Sequence, residues 1–454
     1  MPHDQNHKHA IVIGGSMAGL LATRVLSDHF EQVTVIERDA FPPAGEHRRG
    51  VPQGRHTHGL LASGKQVLEN LFPGISQELI DGGAVRGDLA HDSRWFLEGA
   101  SLCKFTSDLG GLLLSRPFLE GKVRRHLTSL PNVRTHEGCD VEGLATTIDQ
   151  RRVTGIKTAG QILTADLVVD ATGRGSHSPQ WLEAMGFAKP PEERVEIALG
   201  YTTRLFRRSL LDLDGDGAAL IPPTPETKRA GVMLAQEGDR WTVTLVSYFG
   251  NYAPSELEGF IEFARNLPAP FIYDVIRHAE PISEPASARF PASVRRRYEK
   301  LDRFPDGFLV FGDAISSFNP MYGQGMSVAS LEAVALAETL AQGPSDLARR
   351  FFRRAAKVVD IPWSIVVGGD LRIPGTIGPR NAAVNFVNWY MAKLHKAAHH
   401  DPVVALAFHK VGNLLTAPPS VMHPRIAARV LWGNLRQRGN AHTTEESMRA
   451  AAGS

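Results

Sequence analysis

Where a short apolar run ends, Gly14, Gly15 and Ser16 stand together, and Gly19 follows just beyond. Residues without bulk let the backbone come within hydrogen-bonding range of a pyrophosphate, whose charge then rests on the N-terminus of the next helix. Gly14-Gly15-Ser16-Met17-Ala18-Gly19 follows the G-x-G-x-x-G spacing with Ser16 in place of the second glycine. Glu37, with Arg38 beside it, closes the next apolar run about 20 residues on, where a carboxylate accepts hydrogen bonds from ribose hydroxyls. An acidic side chain there suits a dinucleotide whose adenosine ribose carries no 2′-phosphate.

A second group lies far along the chain in FLVFGDAISSFNPMYGQGM, Phe308 to Met326. Asp313 offers a carboxylate to polyol hydroxyls, and Gly312 before it removes the side chain that would block their approach. Pro320, Gly323 and Gly325 shape a loop without bulk. A helix opening near Gly325 and Met326 turns unpaired N–H groups and a positive dipole end toward a ring that carries negative charge. Between these groups, His56 and His58 share a Pro- and Gly-rich loop with Arg49, as candidates for contact with a cofactor or substrate. Trp95, Tyr201, Phe318, Met321, Tyr322 and Trp363 are candidates for an apolar substrate pocket. Cys103 and Cys139 have no metal-ligand spacing and read as reduced thiols, so no metal site is expected. Asp212 to Gly217 opens like a calcium loop, but Pro223 stands where a bidentate glutamate is required, which leaves a polar turn.

The elements that must position these residues follow from periodicity. His9–Ile13 is a β-branched run that enters the glycine turn, and Met17, Leu20, Leu21 and Val25 then repeat at helical spacing. With the run Val33 to Ile36 this makes a βαβ unit. The stretch from Val141 to Asp170 predicts a small antiparallel meander followed by a buried strand at Leu167 to Val169. Glu196 to Phe206 and Trp241 to Phe249 alternate as half-buried strands of a second sheet. Phe308 to Phe311 reads as a buried strand, Met326 to Ala341 as a helix, and the chain beyond Ser345 as mostly helical with proline interruptions.

At 454 residues the chain has room for two or three modules. A formal charge of +2 gives no field for a polyanion, so nucleic acid is not an expected partner, and the run Arg295-Arg296-Arg297 reads as a solvated face. No apolar stretch approaches the roughly 18 residues needed to cross a bilayer, and the N-terminus lacks the apolar core of a secretion signal, which predicts a cytoplasmic protein. The apolar stretch Val403 to Phe408 is expected to pack within the helical region, with a hydrophobic mouth or contact with a membrane surface as the alternatives.

The GD motif at Asp313 with the loop Pro320 to Met326 resembles the FAD-dependent monooxygenases related to p-hydroxybenzoate hydroxylase and squalene epoxidase. Leu114 to Glu120 and Asp166 to Gly175 (DLVVDATGRG) resemble further motifs of that family, which adds Arg116 and Asp170 as cofactor-side residues. The segments RRGVPQGRHTHGLL (Arg48 to Leu61), Ser178 to Leu182 and Leu199 to Arg204 are similar to bacterial polyether epoxidases of the monensin and lasalocid type. The resemblance implies an α/β fold: a Rossmann-like FAD-binding domain with an inserted antiparallel-sheet substrate domain and a C-terminal helical region. The expected boundaries are a flexible N-terminus at 1–9, FAD-binding segments at 10–90, 111–185 and 301–345, substrate-domain segments at 91–110 and 186–300, helices at 346–438, and a flexible tail at 439–454.

By the same resemblance, Asp313 meets the ribityl chain, Pro320 to Met326 line the flavin ring, and a flavin hydroperoxide formed with O2 delivers one oxygen atom to a hydrophobic small molecule. The expected reaction is epoxidation of an alkene in secondary metabolism. Hydroxylation of an aromatic ring, flavin-dependent reduction or cyclisation of a prenyl chain, and flavin binding without turnover are the alternatives. The sequence holds no second full glycine-rich fingerprint, so electrons are expected from transiently bound NAD(P)H or from a separate flavin reductase.

Overall fold

The computed structural model describes residues 8–436 apart from 44 and 49. Its centre is a five-stranded parallel sheet in the order Phe308–Val310, Leu167–Asp170, His9–Ile13, Gln32–Ile36, Val133–His136. Strands covered on both faces need apolar residues at every position, and Ala10, Ile11, Val12, Val168, Leu309 and Val310 are each fully buried. The helix Met17–Ser27 returns the chain from the first strand to its neighbour. The first strand has the bounds read from the sequence, and its first residue is not free: Lys8 and His9 donate their backbone N–H groups to Asp166, and the His9 ring bridges Thr164 and Thr34. The rest of the predicted N-terminal and C-terminal flexible segments lies outside the described residues.

The meander predicted after Val141 is a three-stranded antiparallel sheet, Val141–Thr146, Val153–Thr158 and Gln161–Thr164. The second large sheet has eight strands and draws on residues far apart in sequence. Its order is Ser316–Ser317, Ala286–Arg296, Glu192–Arg207, Arg240–Tyr248, Arg229–Gln236, Ala218–Ile221, Ser93–Leu97, Ala100–Ser101. It is antiparallel except where Ala218–Ile221 runs parallel to Ser93–Leu97, a strand delivered by a separate excursion of the chain. Arg240–Tyr248 is buried on both faces beyond its first residue, not half-buried, because helices such as Leu257–Arg265 cover one side.

The arginine run is not a solvated face. Arg295 is 1% exposed and donates to Asp360 at 2.7 Å and to the Ala356 carbonyl at 3.2 Å on the helix Leu347–Asp370. Arg296 and Arg297 pair with Glu192 and Glu193 across the strand. Pro362 does not end that helix but lies inside it. Val403 to Phe408 belongs to the helix Pro402–Gly412, which packs on Ala382–Ala398 with Val404 and Ala405 fully buried, as simple packing requires, and Phe408 lines the cavity described below. The acidic turn is held by protein partners: Asp214 and Asp216 by Arg94, Asp216 also by Lys104, and Asp212 by the Trp241 indole. Among the described residues there is no cluster suited to a metal ion and no helix long and apolar enough to cross a membrane.

Candidate active site

The parallel sheet ends and the eight-stranded sheet face each other across a cavity of about 1670 Å³. On its first wall, Gly14 leaves the strand His9–Ile13 with φ of 102°, a conformation closed to most L-residues, and a Cβ there would lie 2.7 Å from the Ala171 carbonyl oxygen. A Cβ on Gly19 would lie 1.8 Å from the Gly14 oxygen, so the helix sits on the turn only because that atom is missing. Gly15 and Gly19 serve this close packing and do not line the cavity, whereas Gly14, Ser16, Met17 and Ala18 do. Ser16 caps the helix without a side-chain bond. Its hydroxyl instead accepts from Arg48 Nη2 at 2.7 Å, which leaves the N–H groups of the first turn uncapped by side chains.

Glu37 and Arg38 both line the cavity, but the Glu37 carboxylate is not idle. It accepts the Gly15 N–H at 2.7 Å and the Asp39 N–H at 3.1 Å, and lies 2.6 Å from Arg48 Nη1. Arg48, whose side chain is 4% exposed, also pairs with Glu120 at 3.2 Å and so ties the turn, the second strand and the helix Arg116–Thr128 together. Sequence reasoning singled out Arg49, which lies outside the described residues, and missed Arg48. The signal was there: Arg48 opens RRGVPQGRHTHGLL, and a buried Glu120 needs a cation.

On the second wall, Gly312 has φ of 68°, and a Cβ there would lie 2.6 Å from the Ala18 side chain, so this strand end packs directly on the first helix. Its N–H donates to Glu332 at 2.7 Å. Glu332 is fully buried, and burial pushes its carboxyl up to about 8, which keeps it neutral at pH 7. Asp313 opens onto the cavity yet is crowded by protein, so burial raises its carboxyl while Arg116 and Arg174 pull it back down. Gly323, at φ of 63°, turns the chain into the helix Gly325–Leu340, whose N-terminus has no side-chain cap. Pro320, Gly323, Gly325 and Met326 all line the cavity.

Arg116 and both candidate histidines line it too. Arg116 Nη1 lies 3.2 Å from His58 Nε2, and His58 Nδ1 lies 2.9 Å from the His56 carbonyl. Arginine can only donate, so Nε2 accepts, Nδ1 carries the proton, and a single neutral tautomer is fixed. Burial and Arg116 push His58 down to about 3, and burial pushes His56 down to about 4. Neither is a useful base near pH 7. His58 instead orients Arg116, while His56 meets Thr203 at 2.8 Å and Tyr201 edge-on at 4.5 Å and so docks its loop on the second sheet. Asp170 does not reach the cavity. It is fully buried, and its carboxylate accepts from Thr172 and from the hydroxyls of Ser176 and Ser178, which fixes the turn that carries Gly173 and Arg174 to the wall.

Trp95, Tyr201, Phe318, Met321, Tyr322 and Trp363 all line the same cavity, with Trp363 on the helix Leu347–Asp370 and 6.3 Å from the Phe318 ring. Beside them is a cluster that sequence reasoning missed. Asn319, fully buried, donates to Asp370 at 2.7 Å and to the Tyr248 hydroxyl at 2.9 Å, and Tyr248 donates to Asp370 at 3.2 Å. Burial pushes Asp370 up to about 7 and both Tyr248 and Tyr322 well above the usual phenol range. Residues 248, 319 and 370 belong to three separated segments, and no local pattern links them.

A buried parallel sheet whose strand ends carry a glycine turn on one strand and a Gly-Asp turn on another, facing an inserted sheet across an apolar chamber, is the fold of the FAD-dependent monooxygenases. The structure of PqsL from Pseudomonas aeruginosa, described as a probable FAD-dependent monooxygenase, superposes with a TM-score of 0.61 at 18% identity over 82% of this chain and 99% of that one. No family model matches the sequence. Protein Rv3254 of Mycobacterium tuberculosis is 34% identical over 455 residues, covering 94% of this chain and 94% of its own, and the chain belongs to that protein's family. Kynurenine 3-monooxygenase of Salinispora tropica is 24% identical over 374 residues, 75% of this chain and 74% of its own.

Proposed function

We propose that the protein is an FAD-dependent monooxygenase that inserts one oxygen atom from O2 into a hydrophobic small molecule, with an epoxide as product. The observation that carries this reading is the continuity of one cavity from the Gly14 turn, past Asp313 and the uncapped helix at Gly325, into a chamber walled by Trp95, Phe318, Met321 and Trp363. The chain fits the cofactor. The Gly14 cradle would be filled by any Cβ, and Arg48 Nε is buried beside it with no acceptor among the described residues, as a pyrophosphate site requires. Gly14, Ser16 and the first turn of the helix Met17–Ser27 would hold the pyrophosphate, Asp313 the ribityl hydroxyls, and the helix Gly325–Leu340 the ring. Bound FAD supplies the activation of O2 and the oxygen transfer.

The chain's own task is to orient and to exclude water. Trp95, Phe318, Met321 and Trp363 keep the space dry, and Arg116, aligned by His58, keeps positive charge near Asp313. Phenol hydroxylation gains from a base that ionises the ring, and alkene epoxidation does not. His56 and His58 are held neutral and are poor bases, Tyr248 and Tyr322 stay protonated, and Asp370, pushed up to about 7, does not line the cavity, which favours the alkene. The likeness of Arg48 to Leu61 to polyether epoxidases points the same way. Transiently bound NAD(P)H or a separate flavin reductase is the electron source in this reading. Turnover of an alkene and a phenol under 18O2 tests it: an epoxide carrying one labelled oxygen is expected, and a labelled catechol or no labelled product overturns the epoxidase assignment.

A further inference from the structure

The far end of the cavity, away from the glycine turn, carries a polar group the oxygen-transfer reading leaves unused. His395 lies on the helix Ala382–Ala398 and lines the cavity at 5% exposure, and neither of its ring nitrogens has a hydrogen-bond partner among the described residues. Buried polar groups left unpaired weaken the fold that holds them. An imidazole kept so at a cavity wall is matched to a group that arrives with a ligand. The Phe408 ring meets it edge-on at 4.9 Å, and Trp95 in turn packs against Phe408 at 6.0 Å and His409 at 5.6 Å, so the polar spot is set in an apolar collar. Burial and the nearby Arg372 hold the ring neutral, pushed down to about 3.

We propose that His395 recognises a hydroxyl group at one end of an otherwise apolar substrate. The inference deepens the monooxygenase reading and rests on it for the ligand's place in the reaction. A neutral imidazole offers one N–H donor and one bare nitrogen acceptor, and a hydroxyl, which both donates and accepts, answers either. A carboxylate is the poorer match. Arg372 is already ion-paired with Glu98, and Glu226 also faces the cavity within reach of Arg372, so an added anion meets two carboxylates for one cation. A pure hydrocarbon leaves the ring unpaired.

Calorimetric titration of the purified full chain with farnesol, farnesyl methyl ether, farnesoic acid and farnesene tests this without turnover. Farnesol is expected to bind about tenfold more tightly than the hydrocarbon, with the ether, which can only accept, between them. His395→Phe should erase that margin while leaving farnesene within about twofold, and His395→Gln, which keeps a donor and an acceptor, should restore part of it. Unfolding midpoints of both variants report whether packing is intact. A margin that survives His395→Phe, tightest binding of the acid, or no binding by any probe overturns the proposal. If the margin depends on His395 but no 18O enters a product, the monooxygenase reading fails and the subsite stands. Labelled product without that margin removes the subsite alone.

Discussion

The two ends of the cavity are built on opposite principles. At the glycine-turn end, backbone approaches backbone, and the charged side chains there hold one another: Arg48 binds Ser16, Glu37 and Glu120, and His58 binds Arg116. At the far end, the walls are rings from several segments, with His395 buried and neutral among them and the buried Asp370, its carboxyl pushed up to about 7, behind them. The first end tolerates almost no change of shape, since its contacts are set by missing Cβ atoms. The second can change shape but not polarity, because an unpaired charge in it has no solvent to turn to.

Substitutions can break this contrast in order of severity. Gly19→Val should do most, because its Cβ meets a backbone oxygen that cannot move aside. A loss of about 4 kcal/mol or more in chemical unfolding is expected, with no flavin retained. Arg48→Met should cost about 3–5 kcal/mol by leaving Glu37 buried without its cation and Glu120 with only Arg116 at 3.4 Å, and Arg48→Lys should recover little of it because one ammonium cannot span three partners. Equal stability of Arg48→Met and the parent would show that this network is not what holds the turn.

At the other end the effect is one of pH. Asp370 has its carboxyl pushed from 3.8 up to about 7, so the native chain keeps a proton that the unfolded chain releases. Its contribution is therefore complete below about pH 4 and is lost as the pH rises through about 7, and Glu332, near 8, has the same sign. Asp370→Asn should flatten the fall in stability between pH 5 and pH 8 and gain about 2 kcal/mol at pH 8. An unchanged slope would mean that Asp370 is ionised in the native state. The smallest effect is expected of His58→Gln: FAD binding severalfold weaker through a misaligned Arg116, and no change in the pH profile between 6 and 8, because His58 titrates near 3.

What could be read from the sequence follows the same division. The Gly14 turn and the Asp313 loop were legible because each is a local pattern whose spacing matches one ligand group. Even there, Arg48, which locks the turn, was passed over. The resemblance of DLVVDATGRG put Asp170 on the cofactor side, whereas its carboxylate is taken up by Thr172, Ser176 and Ser178. The arginines 295–297 looked solvated because charge alone carries no sign of the Asp360 that buries the first of them. Asn319, Tyr248, Asp370 and His395 were invisible for a different reason: their meaning lies in contacts between segments more than fifty residues apart or in the absence of any contact.

In the proposed reading, the Gly14 turn and the Asp313 loop grip one FAD between them. A crystal structure of the protein grown with FAD tests it most directly. The expected density runs from the N-terminus of the helix Met17–Ser27, past Asp313, to a ring lying against the N-terminus of the helix Gly325–Leu340. FAD bound elsewhere, or a colourless crystal with none, would contradict it.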